Sequence, residues 1–221
     1  MSQSPFFFSD RLAHYAVLVA VIVTATAMRL LLFGGHGGFD DAEYARLAHQ
    51  IANGNFSLKE YGGPPVFPLR VGVILPTSLF FHFFGLSEGS MVLYPLILSI
   101  LALPLIYICA ACFFSHRAGL IAVALLAITP IELGSATKLV PDMPAAFYAA
   151  LGVTVISLVG RAGTERRSAL FWGGCFAGVS FGVSWLCKET VSYLAPFCLA
   201  YMAISCKRNG RTAFFLWAGV A

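Results

Sequence analysis

Residues 71–85 read VGVILPTSLFFHFFG, and whether this run crosses a membrane decides the arrangement of everything around it. It is apolar enough to span. It is also only 15 residues long, with Pro76 and His82 inside it, whereas a helix rising ~1.5 Å per residue needs about 20 residues to cross the hydrocarbon core. A run this short fits a re-entrant or interfacial piece better.

The remaining apolar runs, bounded by charge, cover 12–33, 91–114, 118–134, 144–160, 169–187 and 191–206, with another starting at 213. The positive-inside rule then settles the doubtful one. With 71–85 left at the surface and the N-terminus cytoplasmic, the inner side holds Arg11, Arg117, Arg161, Arg166, Arg167, Lys207, Arg208 and Arg211. The outer side collects Asp40, Asp41, Glu43, Glu60, Glu88, Glu132, Asp142 and Glu189. A crossing at 71–85 would instead move Arg117 and the Arg161–Arg167 cluster outside and part Asp40 from Asp142. The expectation is six complete spans, a seventh beginning at 213, and a long outer loop from 34 to 88.

Composition requires such a solution. Of 221 residues, 59% are hydrophobic and 11% charged, against roughly 25% charged in a soluble domain. No soluble core of this length buries that much apolar surface, so lipid must cover it. The net charge of +4 points to no nucleic-acid partner. All six cysteines lie in apolar segments and read as small buried hydrophobes. The first run, with Arg11 before it and Ala-Thr-Ala near its end, resembles a signal peptide, but its 22 residues suit an uncleaved span. The fold expected is all-α, a polytopic transmembrane bundle with amphipathic helices in the first external loop. It forms a single transmembrane domain over 1–221, in the cytoplasmic (inner) membrane. Because the sequence stops nine residues into the last run, it reads as the N-terminal part of a longer protein.

Few ionisable groups fall inside the spans; Arg29, near the outer end of the first, is the main exception, with His14 near its start. That argues against an ion-coupled transport path. Gly174, Gly178 and Gly182 recur every four residues and predict a close helix-packing face.

The most informative soluble stretch is Phe39 to Asn53, FDDAEYARLAHQIAN. Tyr44, Leu47, Ala48 and Ile51 lie on one helical face. Asp40 followed by Glu43 reads as a capping-box-like start, and Asn53-Gly54 as the stop. Three acids in four residues, reached from a span through Gly34-Gly35-His36-Gly37-Gly38, exceed what a cap requires. Asp142, in Leu139-Val140-Pro141-Asp142-Met143-Pro144, precedes a span on the same expected side, as an N-cap or as a second site acid. Lys188, in Trp185-Leu186-Cys187-Lys188-Glu189-Thr190, closes a span there. Arg70 and Lys138 are further outer cations, each readable as an interfacial anchor.

In this order the elements resemble the N-terminal half of membrane glycosyltransferases of the C fold, in particular the group of protein mannosyltransferases and lipid A aminoarabinose transferase. Asp40-Asp41-Ala42-Glu43-Tyr44 is similar to the family's Asp-Glu-Ala-x-Tyr motif, with Asp41 in place of the glutamate. Pro141-Asp142-Met143 matches its Pro-Asp-Met motif. Lys188-Glu189 stands where the family has Lys-Gly. The resemblance implies sugar transfer from a polyprenyl-phosphate donor to a lipid, glycan or protein acceptor on the external, periplasmic face, within membrane lipid. It implies Asp40 and Asp142 as catalytic carboxylates, Asp40 as base or orienting acceptor for the attacking hydroxyl, with Lys188, Arg70 and Lys138 receiving the donor phosphate. Asp41, Glu43 and Tyr44 would support them. The resemblance assigns no certain cofactor and leaves open a divalent metal ion, which Asp142 could hold in place of orienting the acceptor. Two other readings share the spans: a non-enzymatic lipid carrier, flippase or export component, and a truncated inactive copy.

Overall fold

The computed structural model describes residues 6–57, 62–161, 167–194, 196, 197 and 200. In chain order it forms α1 (Phe6–Leu31), α2 (Phe39–Ala52), α3 (Val66–Leu69), α4 (Val71–Phe84), α5 (Glu88–Phe113), α6 (His116–Ile128), α7 (Pro130–Ala136), α8 (Asp142–Arg161) and α9 (Arg167–Cys187), then a 3₁₀ turn at Glu189–Leu194. No strand occurs among the described residues. Ala13–Leu31, α5, Asp142–Val159 and Ser168–Cys187 are long and apolar enough to cross a membrane, and the bent pair α6–α7 adds a fifth crossing if taken as one span. The chain is therefore a multi-pass integral membrane protein. The expected run 191–206 opens as the 3₁₀ turn, and most of it lies outside the described residues, as does the start at 213.

The run 118–134 is not one straight helix. Thr129 takes an extended conformation (ψ 119°), as a residue before proline must, and α6 and α7 meet at 64°. The Thr129 hydroxyl donates to the Leu125 carbonyl at 2.7 Å, covering one acceptor at the break. Helix starts elsewhere are sealed by hydroxyls. Ser87 accepts from the Ser90 N–H at 3.1 Å while Ser90 accepts from the Ser87 N–H at 3.0 Å, closing the head of α5. Ser115 accepts from the Ala118 N–H at 3.2 Å and starts α6.

Paired contacts give the helix directions. His14–Tyr107 and Arg29–Ser99 run α1 against α5. Gly119 lies against Tyr107 where α6 returns along α5. Ser184 donates to the Ala145 carbonyl at 2.5 Å, and Gly173 meets Val159, so α9 runs back along α8. The buried stripe of α9 is Leu170, Gly174, Ala177, Ser180, Ser184 and Cys187, while Gly182 faces outward. Small residues do bring these helices together, but the glycine face expected at 174, 178 and 182 is replaced by this mixed stripe.

Helix α4, the run that opened the question, is 14 residues long. It packs beside α2 at the end of the bundle where α5 and α8 begin. Val73, Ile74, Thr77 and Phe81 are buried, whereas Leu75, Leu79, Phe83 and Phe84 are exposed. Pro76 cannot donate to the Gly72 carbonyl; the Tyr94 hydroxyl does so instead, at 3.0 Å.

Two fastenings of different chemistry hold the bundle. At the end where α1 starts, the Tyr107 hydroxyl lies 2.9 Å from His14 Nε2 and 3.0 Å from His116 Nδ1, tying α1, α5 and α6. Toward the other end, Arg29 is fully buried. Its Nε–H donates to Ser99 at 2.6 Å, its Nη1 to the Ala25 carbonyl at 2.9 Å, and its Nη2 to Glu132. Ser99 donates to the other Glu132 oxygen. Glu132, expected among the exposed outer acids, is only 8% exposed. Removing one member of such a pair strands a charge in apolar surroundings, a cost of about 3–5 kcal/mol.

A Cβ at Gly119 would come within 2.8 Å of the Tyr107 ring and 2.9 Å of its carbonyl oxygen. Gly119→Ala is expected to cost about 1–3 kcal/mol through overpacking, measured as lowered thermal stability in detergent. Gly134→Ala, which meets open space in α7, serves as the neutral comparison.

Candidate functional site

One apolar cluster organises the end of the bundle where α2 lies. Tyr44 and Leu47 of α2, Phe67 of α3, Val73 and Phe81 of α4, Met91 of α5, Leu139, Ala145 of α8 and Cys187 of α9 share it. The candidate polar residues sit on its rim because each is close in sequence to a member. Lys138 adjoins Leu139, Asp142 is one turn from Ala145, Lys188 follows Cys187, and Arg70 lies three residues after Phe67.

The N-terminus of α2 differs from the capping arrangement the sequence led us to expect. Gly38, not Asp40, is the N-cap, and no side chain caps it. Asp41 performs the sealing role: it is 3% exposed and accepts from the Gly37 N–H at 2.8 Å. A Cβ at Gly37 would lie 2.9 Å from Lys138 Cε and 3.1 Å from Asp41 Oδ2, so the glycine backbone is pressed between those two side chains. Asp40, on the first turn, is exposed and engages no other side chain in a hydrogen bond or ion pair among the described residues. Glu43 turns along the helix surface to Arg46, at 2.8 and 3.0 Å. The apolar face and the Asn53-Gly54 stop follow the sequence reading, with Gly54 at φ 70°.

Arg70 is held from two sides. Its Nη1 donates to the Tyr44 hydroxyl, and its Nη2 and Nε reach the two Glu189 carboxylate oxygens at 3.1 and 3.4 Å. Burial would by itself lower the Arg70 pKa, but hydrogen bonds to Glu189 and Tyr44 outweigh it and the value rises. The same bond from Arg70 holds the Glu189 carboxyl below its ordinary range. Burial pushes the Tyr44 phenol up, with Arg70 acting against it. Arg70 is thus committed to docking α2 rather than standing free for a ligand. Glu189, read in the sequence as an outer acid standing where the family has glycine, supplies the other half of that dock. The forked guanidinium over a carboxylate is the signal that position carried.

Lys188 and Asp142 meet directly, Nζ to Oδ1 at 2.5 Å, with 27% and 57% of their side chains exposed. Asp142 is the first residue of α8 rather than a cap preceding it. An exposed pair of this kind contributes only about 0–1 kcal/mol, so either partner can be drawn away by a stronger one. Among the described residues no three His, Cys, Asp or Glu side chains converge as metal ligands, so a divalent ion finds no ready-made set here. Beside Arg70, an apolar recess of about 390 Å³ is lined by Ile51, Gly54, Phe56, Pro68, Val71, Ile74 and Leu75.

An exposed acid, an exposed acid–lysine pair and an apolar recess thus lie at one end of the helical bundle. Residues 71–221 match the family of dolichyl-phosphate-mannose-protein mannosyltransferases, and the chain belongs to that family, a group of membrane glycosyltransferases. The match includes Lys138, Asp142 and Lys188 and begins after Asp40, Tyr44 and Arg70. No curated protein matches the chain, and no solved structure does.

Glu189 has its pKa lowered in the fold by the Arg70 hydrogen bond, so its contribution to docking α2 is complete above the ordinary glutamate value and is lost progressively as pH falls from there through the lower folded-state value. Protease cleavage within α2 is expected to rise as pH drops below about 4.3, and Glu189→Gln to flatten that dependence.

Proposed function

We propose that the chain handles the donor in moving a sugar from a polyprenyl phosphate to an acceptor hydroxyl at the external face of the inner membrane. The observation that carries this is the division between two adjacent acids. Asp41 is buried and fastened to the backbone, while Asp40 beside it is open on the rim that also holds Asp142 and Lys188.

In this reading the acceptor hydroxyl approaches Asp40, which accepts its hydrogen bond and takes the proton as the oxygen attacks the anomeric carbon. The bond from that carbon to the phosphate oxygen breaks, its electron pair leaving on the polyprenyl phosphate. The departing phosphate gains negative charge and needs cations already in place. Lys188 supplies one by exchanging Asp142 for phosphate, a low-cost exchange for an exposed pair. Lys138, held over Gly37, stands behind it. Asp142, released, orients the acceptor. Arg70 serves by docking α2 instead of binding phosphate. The recess beside Arg70 suits the first isoprene units of the donor.

Membranes carrying the protein and a labelled polyprenyl-phosphate sugar test the assignment. Asp40→Asn is expected to lower kcat about 10²-fold, the low end for a lost general base. Asp142→Asn and Lys188→Met should each slow transfer, and the double variant should be little worse than the poorer single, as for residues acting as one unit. Undiminished transfer in both Asp variants would sink the site. For sidedness, a cysteine placed at Val140 should react with an impermeant thiol reagent from outside the cell; protection there would reverse the orientation.

A further inference from the structure

The buried network of Arg29, Ser99 and Glu132 has no part in the chemistry just described, yet it sits on the same two chain segments as the rim. Arg29 and Glu132 are separated by 103 residues; so are Gly34 and Thr137, whose N–H and hydroxyl meet at 2.9 Å one step farther out. Beyond them Gly37 is pressed between Lys138 and Asp41. The end of α1 and the end of α7 therefore lie side by side in fixed register, from the ion pair inside the bundle to the acids at its mouth.

Stability alone does not require charge at the inner end of this register, because a buried pair replaced by well-packed apolar residues is often neutral or better. What apolar residues would lack is direction. Each of the three guanidinium nitrogens donates one bond in a different direction, and both Glu132 oxygens accept. This geometry admits one sliding position of α1 against α7. A slip of one residue would unmake every bond and carry Gly34 off Thr137.

We propose that Arg29, Ser99 and Glu132 form a positioning device which sets the register of residues 34–38 on Thr137–Lys138, and so places Asp40, Asp41 and Lys138 for the reaction. Its catalytic consequence rests on the transferase reading; its structural consequence does not. These three are positioning residues, since none faces the rim.

The test uses the intact protein in lipid nanodiscs, comparing wild type, the double variant Arg29→Leu/Glu132→Leu, and Thr137→Val. The double variant removes both charges together and so leaves none stranded. Hydrogen exchange of the amides at 34–38 should rise roughly tenfold in both variants as the loop is released. The kcat for transfer should fall about a hundredfold, as for a misplaced reactive group, with the donor KM within about twofold. A purely structural role predicts wild-type exchange and wild-type kcat once the double variant accumulates normally, and either result overturns the proposal. If the double variant does not accumulate, Ser99→Ala, which removes one member of the network and leaves the Gly34–Thr137 bond its own partners, decides: unchanged exchange at 34–38 overturns the proposal, faster exchange upholds it. If the wild-type protein transfers no sugar from any polyprenyl phosphate, the transferase reading fails while the exchange result still upholds or overturns this one.

Discussion

A guanidinium and a carboxylate enclosed by apolar helices constrain this bundle more than any other contact in it. Arg29 has no water to turn to and must find its acceptors within reach; Glu132 must likewise fill both oxygens. Apolar contacts elsewhere tolerate small slides, because burial of apolar surface is non-directional and a shifted side chain can find new neighbours. The ion pair does not. The bend at Thr129–Pro130 matters for this reason: it starts the short helix on which Glu132 meets the end of α1.

At the mouth of the bundle the order of causes is reversed. There an apolar cluster comes first and the polar groups follow, each carried to the rim by a neighbour in sequence that is buried. Charges then sort themselves by exposure. Those half or fully sheltered, such as Asp41 and Arg70, are consumed by the fold: one seals a helix start, the other docks that helix through Glu189. Those left in the open, Asp40 and the pair of Asp142 and Lys188, keep the freedom to change partners. Adjacent residues of like chemistry thereby acquire opposite duties.

Much of this was legible beforehand, for identifiable reasons. The long apolar helices and the amphipathic face of α2 follow from length and periodicity, which are local properties. The break at Thr129–Pro130 was also written in the sequence, since proline restricts the residue before it, but hydropathy averaged over the run conceals it. Glu132 was out of reach because its partners lie 33 and 103 residues away; nothing local separates an outer-loop acid from a buried one. The exchange of roles between Asp40 and Asp41 turned on a single residue of helix start, the level at which sequence periodicity is weakest. Arg70 read as a phosphate cation for a similar reason: its commitment depends on Glu189, 119 residues on.

Helix α4 carries one further consequence. One side of it forms the floor beneath α2, while Leu75, Leu79 and Phe83 on the other side are exposed and apolar. The same short helix thus supports α2 with one side and leaves the other to be covered by apolar surroundings.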